Sequence, residues 1–180
     1  MANPLLTTRP AGVNPPRVYA ITLVMQELSD TVTWVSPWVS SLGFLLGFLL
    51  ATIKFVAKIL IVDDSEDARE SLAIYFRAAG HDVQCVPNGR EALSLVLANL
   101  PDVILLDLLM PEMDGPSFLE VVRSYLRIQS LPVVVLTGLA DSPMIDRARA
   151  LKVNSILIKG KATPDEVLKA VEEALIRYPG

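Results

Sequence analysis

The sequence predicts an α/β fold: a doubly wound, five-stranded parallel sheet with helices on both faces, preceded by a charge-poor N-terminal extension. Three observations carry this. From Ala57 onward, short apolar runs alternate with amphipathic stretches, the pattern of parallel strands joined by crossover helices. Two of the runs are nearly continuous Val, Ile and Leu, as strands are when both faces are covered. Charge is also unevenly spread. Residues 1–55 carry only Arg9, Arg17, Glu27, Asp30 and Lys54, about 9% of that stretch, whereas residues 56–180 are about 25% charged, the usual globular share.

Taken in chain order, residues 1–30 are expected to form a disordered segment. Pro4, Pro10, Pro15 and Pro16 stand there among small polar residues, with no apolar period of 2 or 3.6. Residues 31–54 form a hydrophobic segment, in which the 23 residues from Thr31 to Ile53 carry no charge and end in the dense run Leu42–Ile53. At about 1.5 Å per residue a helix of that length spans a hydrocarbon core of about 30 Å. Trp34 and Trp38 would then mark one interface, and Lys54 with Lys58 the cytoplasmic side. Pro37 interrupts the span, and the leader before it is too long for a secretory signal peptide. A second reading makes Val56 the initiator residue, read from a GTG codon, so that residues 1–55 lie upstream of the working protein. A third makes the segment a buried or partner-binding helix.

The folded domain is expected over residues 57–177. Its first strand is Lys58–Val62, followed by a helix with Leu72, Phe76 and Ala79 on its apolar face and Gly80 at its end, where a left-handed residue is wanted. The second strand is Asp82–Val86. Asn88-Gly89 makes the turn into a helix with Leu93, Val96, Leu97 and Leu100 inward. The third strand, Asp102–Leu106, leads through Met110-Pro111 and Asp114-Gly115, ordinary turn chemistry, to a helix with Phe118, Val121, Val122 and Tyr125 inward. The fourth strand, Pro132–Leu136, is followed by a helix with Ile145, Ala148 and Leu151 inward, and the fifth is Ser155–Ile158. The last helix is the clearest, with Val167, Ala170, Val171, Ala174 and Leu175 on one face. Its start, Thr163-Pro-Asp-Glu166, combines a capping Thr, a Pro at the first helical position and a Glu three residues after the cap.

Composition excludes several functions. The net charge of −4 divides into +1 for residues 1–55 and −5 for the rest, so neither part resembles a nucleic-acid-binding surface. A lone Cys85 rules out an intrachain disulfide, and Cys85 with His81 is too little for a zinc site. Cys85 is read as core in the second strand. His81 stands at a strand entrance, a poor place for a phosphohistidine. No Walker loop or kinase-type nucleotide motif is present, so the chain is expected to receive phosphate rather than take it from ATP.

Doubly wound sheets bind ligands beyond the carboxyl ends of their strands. At those ends stand Asp63 and Asp64 after the first strand, Asp107 after the third, Thr137 after the fourth and Lys159 after the fifth. Three carboxylates converging on one rim repel one another unless a cation sits between them. Oxygen-only ligands favour Mg²⁺. A lysine and a hydroxyl opposite would suit an anion with several oxygens, such as a phosphoryl group. Singly, each residue has a plainer reading: helix cap for the Asp pair, turn residue for Thr137, solvated strand end for Lys159.

Four motifs in order, Ile-Leu-Ile-Val-Asp63-Asp64, Leu-Leu-Asp107-Leu-Leu-Met-Pro111-Glu-Met-Asp-Gly115, Val-Leu-Thr137-Gly138 and Leu-Ile-Lys159, resemble the receiver domain of bacterial two-component response regulators over residues 57–177. The resemblance implies a flavodoxin-like strand order 2-1-3-4-5. It implies that Asp107 is the phosphoacceptor, that Asp64 and Asp107 ligate Mg²⁺ with Asp63 acting mainly through water, and that the Leu109 backbone carbonyl completes the protein ligands. Thr137 and Lys159 would contact phosphoryl oxygens. The partners implied are a sensor histidine kinase or phosphotransfer protein and a downstream protein target, with no nucleic acid, and a membrane only through residues 31–53. The domain itself would be cytoplasmic and no enzyme beyond its own phosphorylation and dephosphorylation. With only Tyr178-Pro179-Gly180 after the last helix, a single-domain regulator is expected, its output a surface of helix four, strand five and helix five.

Two departures from the family pattern are visible. Ile156 stands where a switch aromatic is usual, which puts the Thr–aromatic coupling in question. Lys159 is followed by Gly160 instead of Pro, which removes a cis-proline turn and suggests a looser loop. Leu109 and Leu139 flank the route of water to an acyl phosphate and cannot orient it, so slow self-dephosphorylation is expected. The rival reading is a Mg²⁺-dependent aspartyl-phosphate phosphohydrolase. Such enzymes place an acidic group two residues after the nucleophile, where this chain has Leu109.

Overall fold

A computed structural model describes residues 56–177. The disordered segment expected over 1–30, the hydrophobic segment at 31–54 and the question of a start at Val56 lie outside these residues, or at their edge. In chain order the elements are β1 (Lys58–Val62), α1 (Glu66–Ala78), β2 (Asp82–Val86), α2 (Gly89–Ala98), β3 (Val103–Leu106), α3 (Gly115–Ser124), β4 (Val133–Thr137), α4 (Pro143–Ala150), β5 (Ser155–Ile158) and α5 (Pro164–Arg177). The strands form one parallel sheet in the order β2-β1-β3-β4-β5, as expected, with the switch in direction between β1 and β3.

Alternation along the strands divides the core into two layers. Leu60, Val62, Ile104, Leu106, Val133 and Val135 face α2, α3 and α4 through Val96, Phe118, Leu119, Val122 and Ile145. Ile59, Ile61, Val103, Leu105, Val134 and Leu136 face α1 and α5 through Phe76, Val167, Val171 and Leu175. The central strands are thus apolar on both sides, which is why β3 and β4 read as unbroken hydrophobic runs.

Helix starts follow their caps. Ser65, Asn88, Asp114 and Ser142 each accept a hydrogen bond from a backbone N–H in the first turn of α1, α2, α3 and α4. At α5 the Thr163 Oγ1 accepts from Glu166 N at 3.3 Å, and the Glu166 carboxylate accepts from Thr163 N at 2.7 Å, the reciprocal pair the sequence predicts. The Thr163 N–H, and the Thr163 hydroxyl donating to the same carboxylate oxygen at 3.0 Å, hold the Glu166 carboxyl below its usual range. Gly80 has φ +94°, the left-handed residue after α1.

Several expectations require correction. β3 starts at Val103; Asp102, just before it, accepts from Lys58 N on its carboxylate at 2.7 Å. β4 is shifted by one residue to include Thr137, which pairs with Ile158. Leu97, Leu100 and Tyr125 are exposed, not inward: α2 ends at Ala98 and α3 at Ser124, so Leu100 and Tyr125 lie past the helices, and Leu97 sits off the stripe of Ala92 and Val96. Cys85 is only half-buried on edge strand β2, with its Sγ 4.0 Å from Arg69 O. Burial raises its thiol pKa, with Arg77 and Arg69 opposing. The turn after β5 is closed, not loose. Lys161 N and Ala162 N both donate to Ile158 O, Gly160 takes φ +77°, and no cis peptide occurs among the described residues.

Candidate functional site

The site forms where hydrogen bonding continues past the strand ends. Asp63 N donates to Val86 O, Asp107 N to Val62 O, and Lys159 N to Thr137 O, at 3.2, 2.8 and 2.8 Å. These bonds carry the register of the sheet one residue beyond its apolar part. They bring to one rim the residues that the sequence placed at the strand ends.

Asp63, Asp64 and Asp107 each offer a carboxylate oxygen, and the three oxygens lie within 4.8 Å of one another. Asp63 and Asp107 are buried, at 2% and 6% exposure, while Asp64 is exposed. Burial of two carboxylates side by side is costly unless something positive meets them. The Lys159 ammonium does so, pairing with Asp63 Oδ2 at 2.6 Å and with Asp107 Oδ2. Burial alone would lower the Lys159 pKa, but hydrogen bonds to Asp107 and Asp63 outweigh it and hold the ammonium above its ordinary value. The pairing with Asp63 was not foreseen from sequence, where Lys159 faced only the phosphoryl group.

The other oxygen of Asp107 is held by its own chain. Oδ1 accepts from Leu108 N at 2.6 Å and Leu109 N at 3.2 Å. These two N–H groups fix the carboxylate against rotation. Leu109 itself is 60% exposed. Thr137 is fully buried, with its Oγ1 accepting from Leu139 N at 3.4 Å. Leu139 and Ile156 are half-buried against the α2–α3–α4 layer.

Sequence reasoning missed two residues. Gly115 was read as turn chemistry, yet a Cβ there would lie 2.6 Å from Asp107 O and 2.7 Å from Leu108 Cα. Its N–H donates to Leu108 O at 3.0 Å, so α3 packs directly on the backbone that presents Asp107. The Asp-Gly pair at the foot of an apolar helix was the available signal. Arg69 is the second. Its Nη1 donates to Asp63 O at 2.6 Å and Asp64 O at 3.0 Å, and nothing in its local sequence points to that contact.

The donor set fits a hard divalent cation: three carboxylates close together, with neither thiolate nor imidazole among them. His81 is at the far end of β2, where its Nδ1 accepts from Ala57 N at 3.3 Å. It belongs to the entrance of the sheet, as its sequence position suggests.

The chain matches the family described as the response regulator receiver domain over residues 59–172. A 14.6 kDa protein of Leptolyngbya boryana, described as uncharacterised, is 36% identical over 123 residues, 67% of this chain and 92% of that one. Response regulator MprA of Mycolicibacterium vanbaalenii is 36% identical over 121 residues, again 67% of this chain, which spans only 50% of MprA. The solved structure of the chemotaxis response regulator CheY4 of Vibrio cholerae superposes with a TM-score of 0.62 at 30% identity, covering 67% of this chain and 99% of that one.

Proposed function

The chain belongs to the family of response regulator receiver domains, and we propose that it is a phosphorylation-controlled binding module whose phosphoacceptor is Asp107. The observation that carries this reading is the state of that carboxylate. It is buried, one oxygen is held by the Leu108 and Leu109 N–H groups, the other meets the Lys159 ammonium, and Asp63 and Asp64 stand beside it. A bare structural carboxylate has no need of three donors and two like charges.

The phosphodonor is a phosphohistidine of a sensor histidine kinase or a phosphotransfer protein, or a small acyl phosphate. A carboxylate oxygen of Asp107 forms the bond to phosphorus as the P–N bond of the phosphohistidine breaks and the imidazole leaves with the electron pair; from an acyl phosphate the P–O bond breaks and the carboxylate leaves. Lys159 neutralises charge on the transferring oxygens, and the Leu108 and Leu109 N–H groups keep the carboxylate aimed. The Thr137 hydroxyl, at the end of β4, donates to the oxygens of the acyl phosphate. Asp63, Asp64, Asp107 and the Leu109 carbonyl would hold Mg²⁺, which supplies charge neutralisation at the transferring group. The chain catalyses only its own phosphorylation and dephosphorylation.

Phosphorylation exchanges a carboxylate for a group with nearly two negative charges, and the loop after β4 with α4 and β5 responds as a population shift. Ile156, a branched aliphatic, couples less through solvent exposure than an aromatic would. The resulting surface, α4 with β5 and α5, binds a downstream protein target. A phosphohydrolase is disfavoured because Leu109, two residues after Asp107, has no proton to give. Attachment to a membrane through residues 31–53 would change the domain's place and leave this chemistry intact. Among the described residues no helix is long and apolar enough to cross a membrane.

Incubation with acetyl phosphate and Mg²⁺, repeated with a phosphorylated histidine kinase, tests the reading by intact mass. The wild type is expected to gain about 80 Da, the mass of one phosphoryl group, and Asp107→Ala none. Failure of the wild type with both donors would remove the proposal.

A further inference from the structure

We propose that Arg69 is a positioning residue for the divalent-cation site, acting by holding the Asp63–Asp64 backbone rather than by its charge. The inference rests on the reading above that Asp63, Asp64 and Asp107 hold a cation. One guanidinium nitrogen, Nη1, donates to two consecutive carbonyl oxygens, Asp63 O and Asp64 O. In an extended chain successive carbonyls point to opposite sides. Their convergence on one nitrogen requires the backbone to turn between β1 and α1, and Arg69 closes that turn from the first turns of α1, where it is half-buried and its own N–H bonds to Ser65 O at 3.0 Å.

The turn matters most for Asp64. Asp63 is tied on its own account: its Oδ1 accepts from Ser65 N at 3.0 Å and its Oδ2 pairs with Lys159. Asp64 is exposed, and among the described residues no hydrogen bond or ion pair reaches its carboxylate. The main chain sets where the Asp64 side chain starts, and Arg69 ties that main chain through the Asp63 and Asp64 carbonyls. A planar fork suits two acceptors in a fixed relation; an ammonium group meets them as a point charge.

Two effects of Arg69 on an incoming cation oppose each other, and variants separate them. Its positive charge repels the cation, so a purely electrostatic role predicts tighter Mg²⁺ binding in Arg69→Gln and wild-type binding in Arg69→Lys. A positioning role predicts weaker binding in both, by about tenfold for Gln, the range of outer-shell ligand supports.

The test is Mg²⁺ titration of the unphosphorylated full chain, read by calorimetry and by the amide signals of Asp63, Asp64 and Asp107. It is paired with the Mg²⁺ concentration that half-saturates labelling by acetyl phosphate. Weaker affinity in both variants, with the half-saturating Mg²⁺ raised and the maximal labelling rate nearly unchanged, is the expected result. Unchanged affinity accompanied only by a lower melting temperature in EDTA would assign Arg69 to folding and overturn the proposal. So would tighter binding in Arg69→Gln, with the cation reading left standing. Absence of Mg²⁺ binding in the wild type would remove both.

Discussion

Among the described residues, Lys159 is the one cation that meets both buried carboxylates of the rim, Asp63 and Asp107. Replacing it by Met leaves those carboxylates side by side without a cation, and a loss of about 2–4 kcal/mol in stability is expected at neutral pH. Urea unfolding in EDTA measures it, and added Mg²⁺ should restore part of the loss. The pH dependence has a definite sign. Because the folded ammonium titrates above the ordinary lysine value, its contribution is complete below that value and is lost as the pH rises through the folded one. Stability of the wild type should therefore fall on the alkaline side more steeply than that of Lys159→Met. At the neighbouring position Leu109 offers water no hydrogen bond, and the acyl phosphate is expected to decay slowly. Leu109→Asn should speed that decay several-fold in the isolated phosphorylated protein, and no acceleration would count against the water-exclusion argument.

Among the elements, the turn from β3 into α3 is the most tightly specified. Gly115 lies where a methyl group would strike the Asp107 carbonyl and the Leu108 Cα, both main-chain atoms with no rotamer to escape into. Gly115→Ala should cost about 1–3 kcal/mol and displace the loop that aims Asp107. Labelling by acetyl phosphate is then expected to slow by more than the stability loss explains, since the fold persists while the carboxylate is moved. Thermal melting beside labelling rate separates the two. α4 shows the opposite character. It has eight residues, of which only Ile145 and Ala148 are buried. Its C-terminal end is gripped from α3 by Arg123, which donates to Leu151 O at 2.9 Å and Lys152 O at 3.5 Å, with a further bond to Leu131 O. Its N-terminal end, beside the loop after Thr137, is held by the Ser142 cap and by Met144 and Ile145 packed on the core, with no further side chain among the described residues gripping its backbone as Arg123 grips the other end.

For the whole molecule this uneven anchoring sets where phosphorylation should be felt. Hydrogen exchange on the phosphorylated chain is expected to change in residues 138–158, the loop after β4, α4 and β5, and to stay as it was in β1 and β3, whose side chains fill both core layers. A change confined to α1 and β2 would move the output surface elsewhere. The fold and the rim were legible because both follow from period. Alternating apolar runs specify strands, parallel strands with crossover helices put every strand's carboxyl end on one side, and Asp63, Asp64, Asp107, Thr137 and Lys159 each follow such a run by one or two residues or close it. Period fails at helix ends and at the margin of a stripe, which is why Leu100 and Tyr125 read as inward although α2 and α3 end before them, and Leu97 although it sits off the buried stripe of α2. The sequence by itself determined the sheet, its order by resemblance and the set of residues at its rim. Only the tertiary structure decided that Lys159 joins Asp63 to Asp107, that Arg69 grips the Asp63–Asp64 backbone and that Gly115 leaves room for the Asp107 carbonyl. Each of these depends on distances between side chains and backbone brought together by packing, and local composition carries no record of them.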